Sequence, residues 1–219
     1  MRYLISIMAF VMLITTLSCS ENQMNPRELE DWNFVKKSNN YLDCITFIRK
    51  YPNTTKFDSV LQQYERQKEL SMPTIADCFQ NCASFTIDSS GTIFYEDKVT
   101  SLDTIFPVLM HFIINKENEL HLPDKFTTID LENVKRSYSK AAFIVYYHNN
   151  QGKQLQRVTR SISGAFNFYR NYLSNSWYGE DYVNLDSEHR YFMDKLLQYR
   201  IRLERQNKIP VPPPPPPEF

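Results

Sequence analysis

The stretch Ala83–Asn115, ASFTIDSSGTIFYEDKVTSLDTIFPVLMHFIIN, is the most informative part of this chain for its fold class. Its first part, Ala83–Asp88, alternates apolar and polar residues, which is the period of a half-buried strand. Ser89–Gly91 supplies a turn, because Gly91 takes a positive φ angle at no steric cost. Thr92–Glu96 (TIFYE) then predicts the return strand of a hairpin.

A helix follows the hairpin. Thr100 is the predicted N-cap, and Asp103, three residues on, stands in a capping-box relationship to it. The residues behind it repeat at helical spacing and predict one apolar face: Leu102, Ile105, Phe106, Leu109, Met110 and Ile113. A hairpin that leads into an amphipathic helix predicts half of a small two-layer α/β domain, so the expected fold class is α+β.

This block resembles the periplasmic domain of the ExbD/TolR biopolymer-transport family, in its Bacteroidetes-type members. Val99–Leu102 (VTSL) is similar to the phrase that opens the family's first helix, and Asn115–Asp124 (NKENELHLPD) to its Asn-rich loop. Phe143–Gly152 and Val158–Asp186 are similar to its third strand and long helix. The resemblance implies an ExbD-like domain over residues 80–205, which in the family dimerises and engages a TonB-like energy transducer or peptidoglycan.

The amino terminus has the pattern of a bacterial lipoprotein signal. Arg2 precedes an apolar run, Leu4–Leu17, which is shorter than the ~20 residues that span a bilayer. Thr16–Cys19 (TLSC) is similar to a lipobox, so we predict a signal peptide over residues 1–18 and lipidation of Cys19. Residues 19–26 would then be a lipid-anchored tether; the alternatives are a buried apolar helix or a short signal anchor.

The predicted anchor departs from the family plan. ExbD-like proteins normally cross the inner membrane once, with an aspartate inside the span that serves proton transfer. Between Met1 and Ser20 this chain has no acidic residue, so we expect that it does not carry protons itself. We predict attachment to a cell membrane through the lipid, facing the periplasm, and the sequence leaves open which membrane holds it.

Composition excludes several classes of function. Lys plus Arg equals Asp plus Glu at 25 each, and a chain without net charge is not expected to bind nucleic acid. Only four glycines occur, and no phosphate-binding glycine motif is present. The four histidines show no metal-binding or catalytic spacing. We therefore predict no catalytic residue, no cofactor and no metal, and a protein that is not an enzyme.

Three cysteines remain beside Cys19. An oxidising periplasm permits a disulfide, and Cys44, Cys78 and Cys82 pair in three ways with one left over. Plain buried thiols are the alternative. Cys78 and Cys82 have the spacing of half a metal site, but no nearby His or Cys completes four ligands.

Residues 27–72 predict a helical hairpin. Two apolar stripes at helical spacing are separated at Tyr51–Thr55 (YPNTT), where Pro52 and Asn53 favour a turn. The phrase Phe47–Asn53 (FIRKYPN) is similar to a single tetratricopeptide-like unit. One such unit buries too little surface to be stable alone, so we expect it to pack on the α/β domain or on a partner.

The carboxyl-terminal third predicts two helices and a tail. Gln154–Leu173 carries one apolar face, and Asp186 is the predicted cap of a final helix that continues through Arg205. Residues 206–219 are a proline-rich tail, and its six consecutive prolines, Pro212–Pro217, predict polyproline II.

These features together predict a non-catalytic binding or adaptor protein of a TonB-type transport or cell-envelope system. Its expected partners are the membrane, a TonB-like transducer or peptidoglycan, and a second copy of the chain. A free strand edge in the hairpin, Ser84–Tyr95, is the predicted contact, because Ala142–Tyr147 is apolar throughout and reads as a central strand. Two alternatives stay open: a signal-anchored motor subunit, and a surface lipoprotein that binds a glycan or nutrient.

Overall fold

The computed structural model describes residues 24–71 and 81–206, and it confirms a mixed α+β fold. The helices in these residues are α1 (Pro26–Lys37), α2 (Tyr41–Lys50), α3 (Phe57–Ser71), α4 (Phe106–Ile114), α5 (Gly152–Tyr178) and α6 (Ser187–Leu196). The strands are β1 (Cys82–Ile87), β2 (Ile93–Tyr95), β3 (Lys98–Val99), β4 (Lys125–Ile129), β5 (Lys135–Ser139), β6 (Ala142–Tyr147) and β7 (Ile201–Arg205). The predicted signal peptide, Cys19, Cys78 and residues 207–219 of the tail lie outside the described residues.

Five strands form one mixed sheet in the order β3-β2-β1-β6-β7. Strand β6 pairs in parallel with both β1 and β7, while β2 and β3 extend the sheet in antiparallel fashion. The prediction that Ala142–Tyr147 is a central strand is confirmed. Strands β4 and β5 form a separate antiparallel hairpin.

The main core lies on one face of this sheet. Side chains alternate across a strand, so Phe85, Phe143 and Leu203 point to the same face, where all three are buried. The Phe143 ring packs against Phe112 of α4 and Phe166 of α5, with ring centroids 5.4 Å and 5.7 Å apart. Burial of an aromatic or aliphatic side chain of this size contributes about 1.5–3 kcal/mol. The two helices are therefore held against the sheet through its centre.

The first hairpin confirms the predicted turn, but helix α4 starts later than predicted. Gly91 has φ +87°, and Asp88 Oδ1 accepts hydrogen bonds from the amides of Ser90 and Thr92. The prediction of a helix capped by Thr100 is wrong, because α4 begins at Phe106. Pro107 explains the difference: it lacks an N–H, so it fits the first turn of a helix but interrupts one that began six residues earlier.

The described residues 24–71 contain three helices, where the sequence predicted two for residues 27–72. The turn at Tyr51–Thr55 is confirmed, but a second break falls between α1 and α2. The Asn40 side chain accepts a hydrogen bond from the Leu42 amide at 3.1 Å and caps α2. Its side chain thus competes with the continuation of α1, as short polar side chains do at helix ends.

The carboxyl-terminal prediction was right for Asp186 and wrong for the end of the chain. Asp186 caps α6 by accepting hydrogen bonds from the amides of Glu188 and His189. Ile201–Arg205 is not the end of that helix; it is strand β7, parallel to β6. The residues alternate apolar and charged, so pairing with β6 buries Ile201 and Leu203 on the core face.

Helix α3 covers the outer edge of β7. The Phe143 amide donates to Arg200 O and the Gln206 amide donates to Tyr147 O, so even-numbered residues of β7 face β6. Leu203 therefore points its backbone outward, where its amide donates to Tyr64 Oη at 3.2 Å and its carbonyl accepts from Lys68 Nζ at 2.8 Å. The helical region thus packs on the α/β domain, as the sequence allowed.

Removing the Tyr64 hydroxyl should destabilise the fold. Tyr64 is fully buried, so Tyr64→Phe leaves the Leu203 amide without an acceptor in the interior. We expect a loss of about 1–3 kcal/mol in the free energy of unfolding, measured by urea denaturation. Tyr172→Phe, which removes an exposed hydroxyl, is the control and should change stability by less than about 0.5 kcal/mol. Equal stability of both variants would contradict the edge contact.

Candidate functional site

The predicted binding edge in the first hairpin is not present as predicted. Strand β1 lies between β2 and β6, and β2 lies between β1 and β3. The Glu96 carboxylate also accepts from the backbone amide of Ser84, just before the paired part of β1. The exposed edge of this hairpin is β3, which has only two residues, Lys98 and Val99.

An open groove of about 620 Å³ lies beside this short edge, between β2–β3, α4 and the loop that follows α4. Its lining combines aromatic, aliphatic and titratable side chains, among them Tyr95, Lys98, Val99, Val108, His111 and His121. Its size is that of a small-molecule or side-chain site.

Asn115 shapes the loop at one end of the groove. It ends α4 in the left-handed conformation, with φ +40°, and it is buried. Its side chain accepts from the Glu119 amide at 2.8 Å and donates to the carbonyls of Glu119 and Pro123. These three hydrogen bonds fix the conformation of the loop. They also hold the position of Glu119, the acidic residue next to the two histidines of the groove.

Glu119 stands between His111 and His121. The distances from its carboxylate oxygens to the two Nε2 atoms are 3.4 Å and 3.3 Å. The sequence showed no metal-binding or catalytic spacing for either histidine, and the fold brings them together around one carboxylate. In residues 24–71 and 81–206, however, no group of three His, Cys, Asp or Glu side chains is arranged to hold a metal ion.

Tyr95, on the aromatic wall of the groove, is not suited to act as a general base. Burial raises the pKa of Tyr95, and the neighbouring Glu96 carboxylate raises that pKa further. The Tyr95 phenol is therefore neutral at physiological pH and offers a hydroxyl rather than a phenolate. The wall of the groove is suited to contact and hydrogen bonding.

Apolar side chains of α4 also face solvent. Phe106 and Val108 are 39% and 43% exposed, although the helix consists almost entirely of apolar residues (FPVLMHFII). Phe168 of α5 is 53% exposed and meets Phe106 edge to face, with 5.5 Å between ring centroids. We call Phe106, Val108 and Phe168 the α4 patch. The predicted apolar stripe of this helix included Phe106 as a core residue, and the structure places it at the surface.

The β4–β5 hairpin, which the sequence did not predict, is held by a buried carboxylate. Asp130 accepts from the amides of Glu132 and Val134 at the hairpin turn and from Arg136 Nε at 2.7 Å. Arg136 also donates to the carbonyl of Trp177 at the end of α5. The hairpin tip is thus tied to the body of the domain.

A second groove, of about 500 Å³ and mostly apolar, lies where this tip meets α6. Leu131 lines it from the tip, and Tyr191, Phe192 and Lys195 line it from α6. Strand β4 ends at Ile129, two residues before Leu131. This groove therefore lies beside the tip of the hairpin.

The described cysteines differ in state. Cys44 is a free, buried thiol that contacts Gln67 Oε1 at 3.3 Å, and burial raises its pKa to about 12. Cys82 is in a disulfide and lines the first groove. Cys19 and Cys78 lie outside the described residues, so the lipidation of Cys19 stays a prediction.

Comparison with family models, curated proteins and solved structures finds no match to this chain. Within the residues that the structure describes, no helix is both long and apolar enough to cross a bilayer. The inferred function therefore depends on the surfaces described above and on the sequence of the amino terminus.

Asp130 should make the stability of the hairpin depend on pH. Burial raises the pKa of Asp130, but Arg136 and the backbone amides of Val134 and Glu132 outweigh it, so the net pKa is below its usual value. A carboxylate with a lowered pKa stabilises the fold above about pH 4, and its contribution is lost as the pH falls through the folded-state pKa.

We therefore expect Asp130→Asn to be destabilised at pH 7, by about 1.5–3 kcal/mol for a charged hydrogen bond, with a smaller difference from wild type below about pH 4. Urea denaturation across this range measures both. Asp97→Asn, which changes an exposed turn residue, is the control and should show neither effect. A difference that stays constant with pH would refute the charged role of Asp130.

Proposed function

We propose that this chain is a membrane-anchored periplasmic lipoprotein that serves as a non-catalytic adaptor in a TonB-type transport or other cell-envelope system. Cys19 carries the lipid in this proposal, and the ExbD-like domain of residues 80–205 makes the partner contact. The partner is a TonB-like transducer or peptidoglycan.

The exposed apolar side of α4 is the observation that carries the proposal. A helix that is apolar on nearly all sides is normally buried on all sides. Here Leu109 and Ile113 occupy the core, while Phe106 and Val108 remain in contact with solvent. Apolar patches of this kind are typical of surfaces that bind another macromolecule.

The groove beside the α4 patch supports the same conclusion. It places a neutral Tyr95, a lysine and the His111–Glu119–His121 cluster next to apolar side chains of α4. Aromatic and polar groups mixed in this way are common where proteins bind other proteins, because aromatic rings bury area and polar tips fix orientation.

The order of elements supports the proposed ExbD-like domain. Strands β1 and β2 form a hairpin that precedes α4, and strand β6 is followed by the long helix α5 and the capped helix α6. These elements follow the order on which the resemblance was based, whereas β4, β5 and β7 were not part of it. Because Met1–Ser20 contains no acidic residue, proton transfer belongs to another chain in this proposal.

Lipidation should be visible in the mass of the membrane-extracted protein. We expect a mass equal to residues 19–219 plus acyl chains, and we expect Cys19→Ala to lose the acyl mass and the membrane attachment. A wild-type mass that retains Met1 and does not change in the variant would contradict the lipoprotein. It would favour the signal-anchored alternative.

A photo-crosslinker at Val108 tests the partner contact in intact cells. We expect it to capture a TonB-like transducer or a peptidoglycan fragment, identified by mass spectrometry, because Val108 lies on the α4 patch. The same crosslinker at Arg160, an exposed polar position of α5, is the matched control and should capture neither. Equal capture at both positions, or none at Val108, would refute the contact.

A further inference from the structure

Strand edges are places where one protein chain can add a strand to another, because their outward N–H and C=O groups are unpaired. The described residues contain four such edges: β3 and β7 bound the main sheet, and β4 and β5 bound the hairpin. These edges differ in length and in how far other residues cover them. Tyr64 and Lys68 cover the outward backbone of β7 at Leu203, and β3 is two residues long.

The outward groups of the hairpin follow from its hydrogen bonds. The Lys140 amide donates to Asp124 O, and the Asp130 amide donates to Val134 O. Hydrogen-bonded and non-hydrogen-bonded pairs alternate in an antiparallel hairpin. The pair Thr127–Ser137 is therefore non-hydrogen-bonded, and both residues point their backbone groups away from the hairpin.

The two edges of the hairpin differ in what lies beside them. At the base of β5, the Ser139 amide donates to Tyr169 Oη at 2.8 Å, and the Ser139 carbonyl accepts from Arg200 Nη1 at 3.0 Å. Helix α4 also runs next to β5. On β4, the outward amides of Lys125, Thr127 and Ile129 have no hydrogen-bond acceptor in residues 24–71 and 81–206.

Positive charge without an ion-pair partner lies on the hairpin that carries this open edge. Of the cations at the hairpin, Arg136 pairs with Asp130 and Lys140 with Asp124. Lys125 on β4 and Lys135 on β5 form no ion pair within the described part of the chain. Lys125 and Lys135 also share one face, because Lys135 pairs with Ile129 and side chains alternate along β4. The chain as a whole has no net charge, so this excess is local.

We propose that the outer edge of β4 binds an extended acidic segment of a partner protein, which adds a third strand to the hairpin. Main-chain hydrogen bonds to Lys125, Thr127 and Ile129 give the affinity, and carboxylates beside Lys125 and Lys135 give the preference for an acidic sequence. A third strand would extend a hairpin that has only two strands.

A second copy of the chain is the other candidate for this edge. Antiparallel pairing of two β4 strands about Thr127 would place Lys125 of each copy opposite Ile129 of the other. It would bring two further unpaired lysines to a surface that already has an excess of cations, whereas an acidic segment neutralises them. Charge complementarity therefore selects the acidic segment. The inference goes beyond the α4 contact of the proposed function and is independent of the lipid anchor.

Binding of a labelled, end-blocked peptide of alternating glutamate and valine tests the proposal on the full chain by fluorescence anisotropy. We expect it to bind more weakly at high salt, and a peptide of alternating lysine and valine not to bind. Thr127→Pro should weaken binding roughly tenfold, because it removes an outward donor and places a ring at the edge. Proline is tolerated at edge positions whose N–H faces solvent, so the hairpin itself should remain folded.

Ser137→Pro is the matched control, since it removes an outward amide from the opposite edge and should leave the affinity unchanged. Lys125→Glu does not alter the backbone. It should weaken binding of the acidic peptide and should not reduce binding of the basic peptide. Failure of the acidic peptide to bind, or equal loss in both proline variants, would overturn the proposal. If sedimentation shows that the wild-type chain is a dimer and that Thr127→Pro is a monomer, the proposal is overturned in favour of a second copy of the chain. None of these outcomes changes the crosslinking result at Val108, so the two proposals fail separately.

Discussion

Helix α3 packs along the outer edge of β7 and joins the amino-terminal helices to the sheet. Leu203 sits at the middle of β7, with its side chain in the core and its backbone directed away from β6. Tyr64 and Lys68 satisfy that backbone, and burial, which raises the pKa of Tyr64 to about 12, keeps its hydroxyl neutral. The helices thus complete the sheet, and the sheet gives the helices a surface to pack on.

This arrangement determines which surfaces stay open. With β7 covered and β6 between two strands, the surfaces that stay open in the described residues are the α4 patch, the first groove and the β4 edge of the hairpin. The α4 patch and the open β4 edge differ in chemistry, since the first is apolar and the second is positively charged with unpaired amides. An adaptor that uses both can hold one partner by side-chain burial and another by strand addition.

The sequence predicted those elements whose pattern is local. The turn at Gly91, the central strand β6 and the cap at Asp186 all depend on residues within a few positions of each other. The start of α4 was missed although Pro107 signalled it, and β7 was read as a helix because its charged residues are good helix formers. The alternation of Ile201 and Leu203 with charged residues was the available signal. Strands β4 and β5 mix polar and apolar residues on their faces, so no regular alternation marked them. The meeting of His111 and His121 at Glu119 depends on the loop that Asn115 holds.

Amide hydrogen exchange of the full chain, resolved residue by residue, distinguishes a covered strand edge from an open one. It compares two outward-facing amides, Leu203 on the covered edge and Thr127 on the open one. We expect strong protection at Leu203, close to that of the core strands, and fast exchange at Thr127. Fast exchange at Leu203 would show that α3 does not cover β7. Strong protection at Thr127 in the isolated chain would show that the β4 edge is already occupied.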